Sequence, residues 1–506
     1  MDKRAPIRLP RLAANGDHRE TDAAVWPCLR RNNHRTGTVE GNMKSFDKAF
    51  QATAQLAEWY VRQESAQPAT PYVGPRELAE KIDLAISTDG ISDEEFFRLL
   101  GKVLEYTPRT GGPKFLNQLF GGRDMPAVCA EMLTGVMNNS MYTYKVAGPH
   151  VLIEREVVRK MLEKVGFPEG SGVLMPGGSV SNLGAMLLAR NGINDSRNAG
   201  VQDTLVAYTS EQGHYSIPKN AGIIGIGRDN LRTIKVDGRG KMIVSYLETR
   251  IAADKTSGRL PFFLNATAGT TVQGVYDPLE EISRVAAREG LWMHVDGALG
   301  GTALLSSRHK HLLEGCRRAD SFSWDAHKLM GVPLSCSALL VKRKEALFET
   351  FSEDADYLFQ TEADEYNLGN LSLQCGKKND AFKLWAAWKY HGDRGYEERV
   401  DRLFALAQYG TEVVRRRADL ELACDTESVT VCFTVRGADS IEICNRLDAE
   451  GVLKVGYGKI AETTAIRLAC VNPELTEEQI DGFFEDVLRI AARIQDRGVP
   501  VEGVRL

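Results

Sequence analysis

The sequence predicts an α/β protein built on a mostly parallel central sheet, and three observations carry that prediction. First, between about Gly112 and Val341 short apolar runs (GVLMP, TLVAYTS, PFFLNAT, LWMHVD, SFSWD and SALLVK) recur between helical stretches and Gly-rich turns. Such runs suit strands buried on both faces by flanking helices. Second, beyond about Ala381 the pattern changes. Two long helical segments precede SVTVCFTVR, which alternates as a half-exposed strand should, and the tail TEEQIDGFFEDVLRIAARIQD reads as an amphipathic helix with acidic residues at its start. A smaller α+β domain therefore follows the α/β core. Third, 43% hydrophobic and 26% charged residues over 506 positions is the balance of a globular chain with room for two or three domains.

In chain order, residues 1–44 hold nine Lys/Arg and five Asp/Glu with no periodicity, which predicts a poorly ordered leader. Its acidic residues argue against a targeting peptide, and it lacks the apolar core of a secretory signal. Met43 stands as an alternative start. Residues 45–110 read as an N-terminal helical segment. Phe46, Ala49, Phe50, Leu56, Ala57 and Tyr60 fall on one face of its first helix, suited to a partner subunit or to its own domain. Further helices are expected around Arg76–Ile86 and Asp93–Leu104. The large α/β domain then spans 111–390 and the small C-terminal domain 391–506. With 63 Lys+Arg against 68 Asp+Glu, the net charge of -5 argues against nucleic-acid binding. No apolar run approaches the ~18 residues that cross a bilayer. Nine cysteines without a C-x-x-C pair read as reduced thiols, which points to the cytoplasm. No metal site is expected.

Three clusters carry chemistry. PGGSVSN (176–182) follows a strand-like run and opens a helix, where glycines admit close approach and free N–H groups favour an anion. Alone, it reads equally as a plain strand-to-helix turn, and it lacks the dinucleotide glycines and the Walker lysine. HVDGALGG (294–301) puts Asp296 at the end of a buried strand, where open α/β sheets place ligands. A carboxylate there needs compensation, which a protonated heterocycle nitrogen supplies, although a turn-capping Asp has the same wording. SWDAHKLMGVPLSCSALL (323–340) places Lys328 among apolar residues, the setting in which a lysine becomes a Schiff-base nucleophile. In isolation it would be one more surface lysine.

Taken together, a phosphate turn, a strand-end Asp and a Lys 32 residues later resemble the pyridoxal-phosphate fold shared by aspartate aminotransferase, fold type I. The finer wording resembles the group II amino-acid decarboxylases, in their glutamate, cysteine-sulfinate and aspartate branch. The matching segments include PKFLNQL (113–119), NNSMYTY (138–144), TSEQGHYS (209–216), LNATAGTTVQGVYDPL (264–279), LQCGKKNDAFKLWAAWKYHG (373–392) and AIRLACVNP (465–473). Most of residues 50–490 is covered.

The resemblance implies a homodimeric, pyridoxal 5'-phosphate-dependent decarboxylase of a small acidic amino acid, with active sites near the subunit interface. Lys328 would carry the cofactor and Asp296 would pair with its ring nitrogen. His214 would stack on one ring face and Ala298 pack on the other. Val180, Ser181 and His327 would lie near the phosphate, and Thr271 near the ring. Arg467 matches the carboxylate-gripping arginine and Gln118 a pocket residue. Ser140 and Tyr142 stand where glutamate-selective members usually carry Asn and Phe, which favours cysteine sulfinate or aspartate over glutamate. Rival readings are decarboxylation coupled to oxidative deamination, transamination, and an unusual amino acid of secondary metabolism. A non-catalytic relative or a nicotinamide enzyme fits the residues less well. Departures fall at Gly112 (usually His), at KVAGPH (145–150), and at Gly297 and Leu299 (usually Ala and Trp). The family's mobile catalytic loop is about three residues shorter here, YNLGNLSLQCG (366–376), with Asn370 where an aromatic proton donor would fall. His214, water or Tyr366 would then supply the proton.

Overall fold

A computed structural model describes residues 46–66, 69–70, 72–193, 196–201, 203–355, 357–359 and 364–497. The leader expected over 1–44 lies outside the described residues. The described chain divides into two units, one of residues 46–60 with 74–107 and the other of 61–73 with 108–497.

In the first unit the helix Phe46–Ala66 begins, and helices Pro75–Lys81 and Asp93–Tyr106 follow. The second ends short of the expected Ile86, because Ile82 is already extended (φ -121°, ψ 123°). The third starts where Ser92 Oγ accepts the Glu95 N–H at 3.2 Å, with three acidic residues in its first turn. Along the apolar face of Phe46–Ala66 only Leu56 is buried, whereas Phe46 and Phe50 stack on each other in solvent, 5.7 Å apart.

In the second unit a seven-stranded sheet forms from β1 (Ser171–Met175), β2 (Leu205–Ser210), β3 (Leu231–Ile234), β4 (Leu260–Thr267), β5 (Trp292–Asp296), β6 (Ser321–Asp325) and β7 (Ser337–Val341). The strand order is β1-β7-β6-β5-β4-β2-β3, and β7 alone runs against the others. Every expected apolar run is a strand of this sheet, and β2, β6 and β7 are buried along their whole length. The expectation missed β3, a short edge strand with one fully buried residue, Ile234.

A four-stranded antiparallel sheet of β8 (Leu420–Leu422), β9 (Thr430–Val435), β10 (Gly456–Ile460) and β11 (Thr463–Ala469) follows in the order β10-β11-β9-β8. Helices Ala381–Arg416, Ser440–Ala449 and Glu477–Arg497 share its core through Leu406, Ile443, Phe483 and Phe484. Gly392 (φ 65°, ψ -177°) interrupts the longest of them. SVTVCFTVR differs from its expected half-exposure. Val431, Phe433 and Val435 enter the helix-covered core, while Cys432, on the other face, packs with Val272, Ile460 and Ala465. Alternation marks two faces, and here both are covered. Among the described residues, no helix is long and apolar enough to cross a membrane, and the eight cysteines are free thiols.

Candidate active site

The C-terminal ends of β1, β5 and β6 converge on a cavity of about 320 Å3. This is where open α/β sheets present side chains to ligands. After β1, Pro176 and Gly177 turn the chain into helix Gly178–Asn191. Gly178 is required for space, since a Cβ there would fall 2.7 Å from Asp325 Oδ2. The Val180 and Ser181 N–H groups already donate to Gly177 O at 2.9 and 3.0 Å. The first-turn donors turned to an anion are therefore those of Gly178 and Ser179, both on the cavity wall. Val180 lines the cavity too. Ser181 lies behind it, sharing a 2.7 Å hydrogen bond with Ser337 Oγ.

Asp296, the last residue of β5, is buried. Its Oδ2 accepts Asn182 Nδ2–H at 2.8 Å and its Oδ1 accepts the Ala298 N–H at 3.2 Å. Two N–H donors on two oxygens leave a carboxylate that can offer only acceptor lone pairs to the cavity. His214 Nδ1 accepts the Ser216 N–H at 3.2 Å and lies 2.8 Å from Ser216 Oγ. The proton of the neutral imidazole therefore sits on Nε2. Burial lowers the His214 pKa and the Asp296 charge only partly opposes that, so the neutral form prevails at pH 7. The Tyr215 ring lies 4.3 Å from the imidazole and also borders the cavity.

Lys328 sits on the turn after β6 with Nζ 3.2 Å from Asp325 Oδ2. The expected apolar surround is thus corrected: the sequence neighbour three residues back supplies a carboxylate, because the turn folds Asp325 under the ammonium. Beside it, buried His327 donates from Nδ1 to Cys336 O at 2.9 Å, with the Cys336 nitrogen 3.1 Å away. Burial lowers its pKa as well. Thr271 and Ala298 complete the expected set, so Val180, His214, Thr271, Asp296, Ala298, His327 and Lys328 share one cavity.

The expected substrate residues stand apart from that wall. Gln118 is exposed beside Leu119, which does line the cavity. Arg467, on β11, donates from Nη1 to Thr271 O at 2.7 Å and from Nη2 to Asn117 O at 2.5 Å, while its buried Nε has no acceptor among the described residues. Burial lowers its pKa. Ser140 Oγ donates to Cys375 O at 3.2 Å, and Tyr142 stacks on Phe359 at 5.6 Å. Tyr366 packs on Tyr144 and beneath the Arg155 guanidinium instead of on the cavity. Asn370 belongs to the short turn Leu368–Leu371, which is anchored by the Gly369 N–H to Tyr142 O bond of 2.8 Å.

Polar cavity residues that escaped sequence reasoning include Asn182, Tyr215, Thr267 and Asp325. Each lay inside a motif already singled out, and helix periodicity from Gly178 would have turned Asn182 inward with the sheet. Two departures also acquire causes. A Cβ at Gly297 would meet Phe322 Cζ at 2.3 Å, and Leu299 forms part of the cavity wall.

The sequence model of the pyridoxal-dependent decarboxylase conserved domain matches residues 75–436. Human cysteine sulfinic acid decarboxylase is 42% identical over 452 residues, covering 84% of this chain and 91% of its own. Mouse acidic amino acid decarboxylase GADL1 is 37% identical over 468 residues, covering 87% and 82%. The crystal structure of mouse CSAD superposes with a TM-score of 0.83 at 36% identity, covering 88% of this chain and 99% of that one.

Proposed function

The chain belongs to the pyridoxal-dependent decarboxylase family and is thus a pyridoxal-phosphate-dependent carboxy-lyase, and we propose that it decarboxylates a short acidic L-amino acid, cysteine sulfinate or aspartate ahead of glutamate. Arg467 carries the expectation of a carboxylate-bearing substrate, and the acidic class rests on the relatives. The Arg467 guanidinium is fixed beside the cavity residue Thr271 and keeps one buried N–H without an acceptor among the described residues, a demand that a carboxylate meets. The curated relatives named for cysteine sulfinic acid and for acidic amino acids support the same class.

The cavity residues fit pyridoxal phosphate by their donor set. Gly178 and Ser179 offer N–H groups to a phosphate, Lys328 offers the amine, and Asp296 offers the acceptor for a protonated ring nitrogen. When bound, the cofactor supplies an electron-withdrawing ring for the charge released as the α-carboxylate leaves. Asp296 then holds a proton on the ring nitrogen, with its own two oxygens fixed by Asn182 and Ala298. His214 presents Nε2–H, a donor and not a base at neutral pH. Arg467 holds the substrate carboxylate and so sets which bond faces the ring.

A homodimer accounts for the residues outside this chain's cavity. Helix Met125–Met137 exposes Met132, Leu133, Val136 and Met137, an apolar face suited to a second copy. Ser140, Tyr142 and Gln118 would then shape the far end of a site near that interface. The free thiols of the eight described cysteines support a cytoplasmic setting.

The test is competition among cysteine sulfinate, aspartate and glutamate, with carbon dioxide and amine measured. A site shaped for short acids should favour the first two by kcat/KM. Preference for glutamate or for an aromatic amino acid would contradict the reading.

A further inference from the structure

Behind the cavity lies a buried chain of hydrogen bonds whose direction is set by the Asp296 carboxylate. Trp292, His294 and Asp296 alternate along β5 and so face the same side of the sheet. Trp292 Nε1–H, which can only donate, gives its hydrogen bond to Ser321 Oγ at 2.8 Å. Ser321 Oγ, 2.9 Å from His294 Nδ1, keeps its own proton to donate there. Asn182 Oδ1, which can only accept, lies 3.0 Å from His294 Nε2 and so draws the ring proton there; Ser323 Oγ, 3.2 Å from the same nitrogen, also donates to that oxygen at 2.9 Å. With its oxygen so engaged, Asn182 turns its amide hydrogens to Asp296 Oδ2 at 2.8 Å and to Ser216 Oγ at 3.1 Å. Ser216 completes the run by donating to His214 Nδ1. A donor-only indole starts the chain, and an acceptor-only carboxylate closes one of its two branches. The acceptor-only carboxylate and the Asn182 amide oxygen orient Asn182 and the His294 ring between them. Burial holds the His294 pKa at about 4, so the ring stays neutral and keeps one nitrogen as acceptor.

We propose that Trp292 and His294 are positioning residues which, through Ser321 and Asn182, hold Asp296 as a pure acceptor and His214 as the Nε2–H tautomer. Neither touches the cavity. They act on the two groups that meet the cofactor ring, so the inference rests on the cofactor reading above. Without a donor at His294 Nε2, Asn182 Oδ1 is left only with the Ser323 hydroxyl, a rotor that can equally accept from the amide, so its orientation is no longer held firmly. It can then turn its oxygen towards Asp296, which removes an N–H from the carboxylate and reverses the bond to Ser216.

The variants H294Q and H294L separate this from simple packing, because glutamine can return an N–H to the position of Nε2 and leucine cannot. Apoprotein is titrated with pyridoxal phosphate, and the pH midpoint of the bound cofactor's absorption band is recorded for each. H294L should bind about tenfold more weakly and shift the midpoint by roughly one unit, with H294Q close to the unmutated protein. Equal behaviour of H294L and the unmutated protein, or equal damage in both variants, would overturn the proposal. Neutron diffraction from deuterium-exchanged unmutated protein tests it without any variant. Deuterium belongs on Nε2 of both His294 and His214, and its presence on either Nδ1 overturns the assignment even if H294L fails to fold. An unmutated protein that forms no chromophore would instead refute the cofactor reading.

Discussion

Replacing Asp296 by Asn changes one atom and the charge, and the surrounding bonds set the cost. The new amide must put its NH2 where one oxygen stood. At the Oδ2 position it faces the Asn182 NH2, and at Oδ1 it faces the Ala298 N–H. Asn182 cannot turn over to relieve the first clash, because its Oδ1 already accepts from His294 and Ser323. Either way a buried donor is left unpaired, which costs about 1–3 kcal/mol of apoprotein stability. In the loaded protein D296N also loses a charge-assisted hydrogen bond worth about 1.5–3 kcal/mol, so cofactor binding should weaken by about 10- to 150-fold. Even at saturating cofactor, turnover should fall by roughly two to three orders of magnitude, the usual loss when a group aimed at developing charge is removed. Urea unfolding of apoprotein, absorbance titration with pyridoxal phosphate and carbon dioxide release measure the three effects separately. Near-normal turnover by saturated D296N would refute the assignment of Asp296.

Other consequences are independent of that one. Lys377 and Glu154 form a fully buried ion pair, with the Leu174 N–H as the other donor to Glu154 at 3.0 Å. K377M strands the carboxylate and should cost about 3–5 kcal/mol, with E154L/K377M recovering much of the loss; a cost below about 1 kcal/mol for K377M would show that the pair is not buried as described. His294 titrates near 4 when folded against 6.5 as the ordinary value. A depressed histidine stabilises the fold fully above pH 6.5, and its contribution of about 3 kcal/mol drains away as pH falls towards 4. H294Q should flatten the pH dependence of urea midpoints in that window, and an unchanged slope would contradict the burial. Finally, Asn370 cannot donate a proton as a phenol does, so turnover should be slow and decay during long assays unless free pyridoxal phosphate is added. Linear progress curves without added cofactor would remove any functional meaning from the shortened loop.

The sequence made the central sheet legible because its strands are apolar on both faces and short, a pattern that helices of this chain do not share. It hid β3, whose LRTI run has little burial at the sheet edge, and it mistook the exposure of β9, since alternation cannot show whether the second face is covered. At the cavity, the residues that meet were those on turns directly after strands, where chain order and position in space coincide. Gln118, Ser140, Tyr142 and Arg467 are spread over separate loops and a different sheet, so nothing local in the sequence reports where they point. The Asn182 relay was invisible for a related reason. Its members lie on two strands, two helices and a loop, and only three-dimensional packing reveals which donor meets which acceptor.

The most direct test of the account is chemical. Purified protein loaded with pyridoxal phosphate is reduced with borohydride, digested and mapped by mass spectrometry. The account predicts a yellow protein that bleaches on reduction, with pyridoxyl fixed on one peptide at Lys328. Label on any other lysine, or no chromophore in unmutated protein supplied with cofactor, would contradict it.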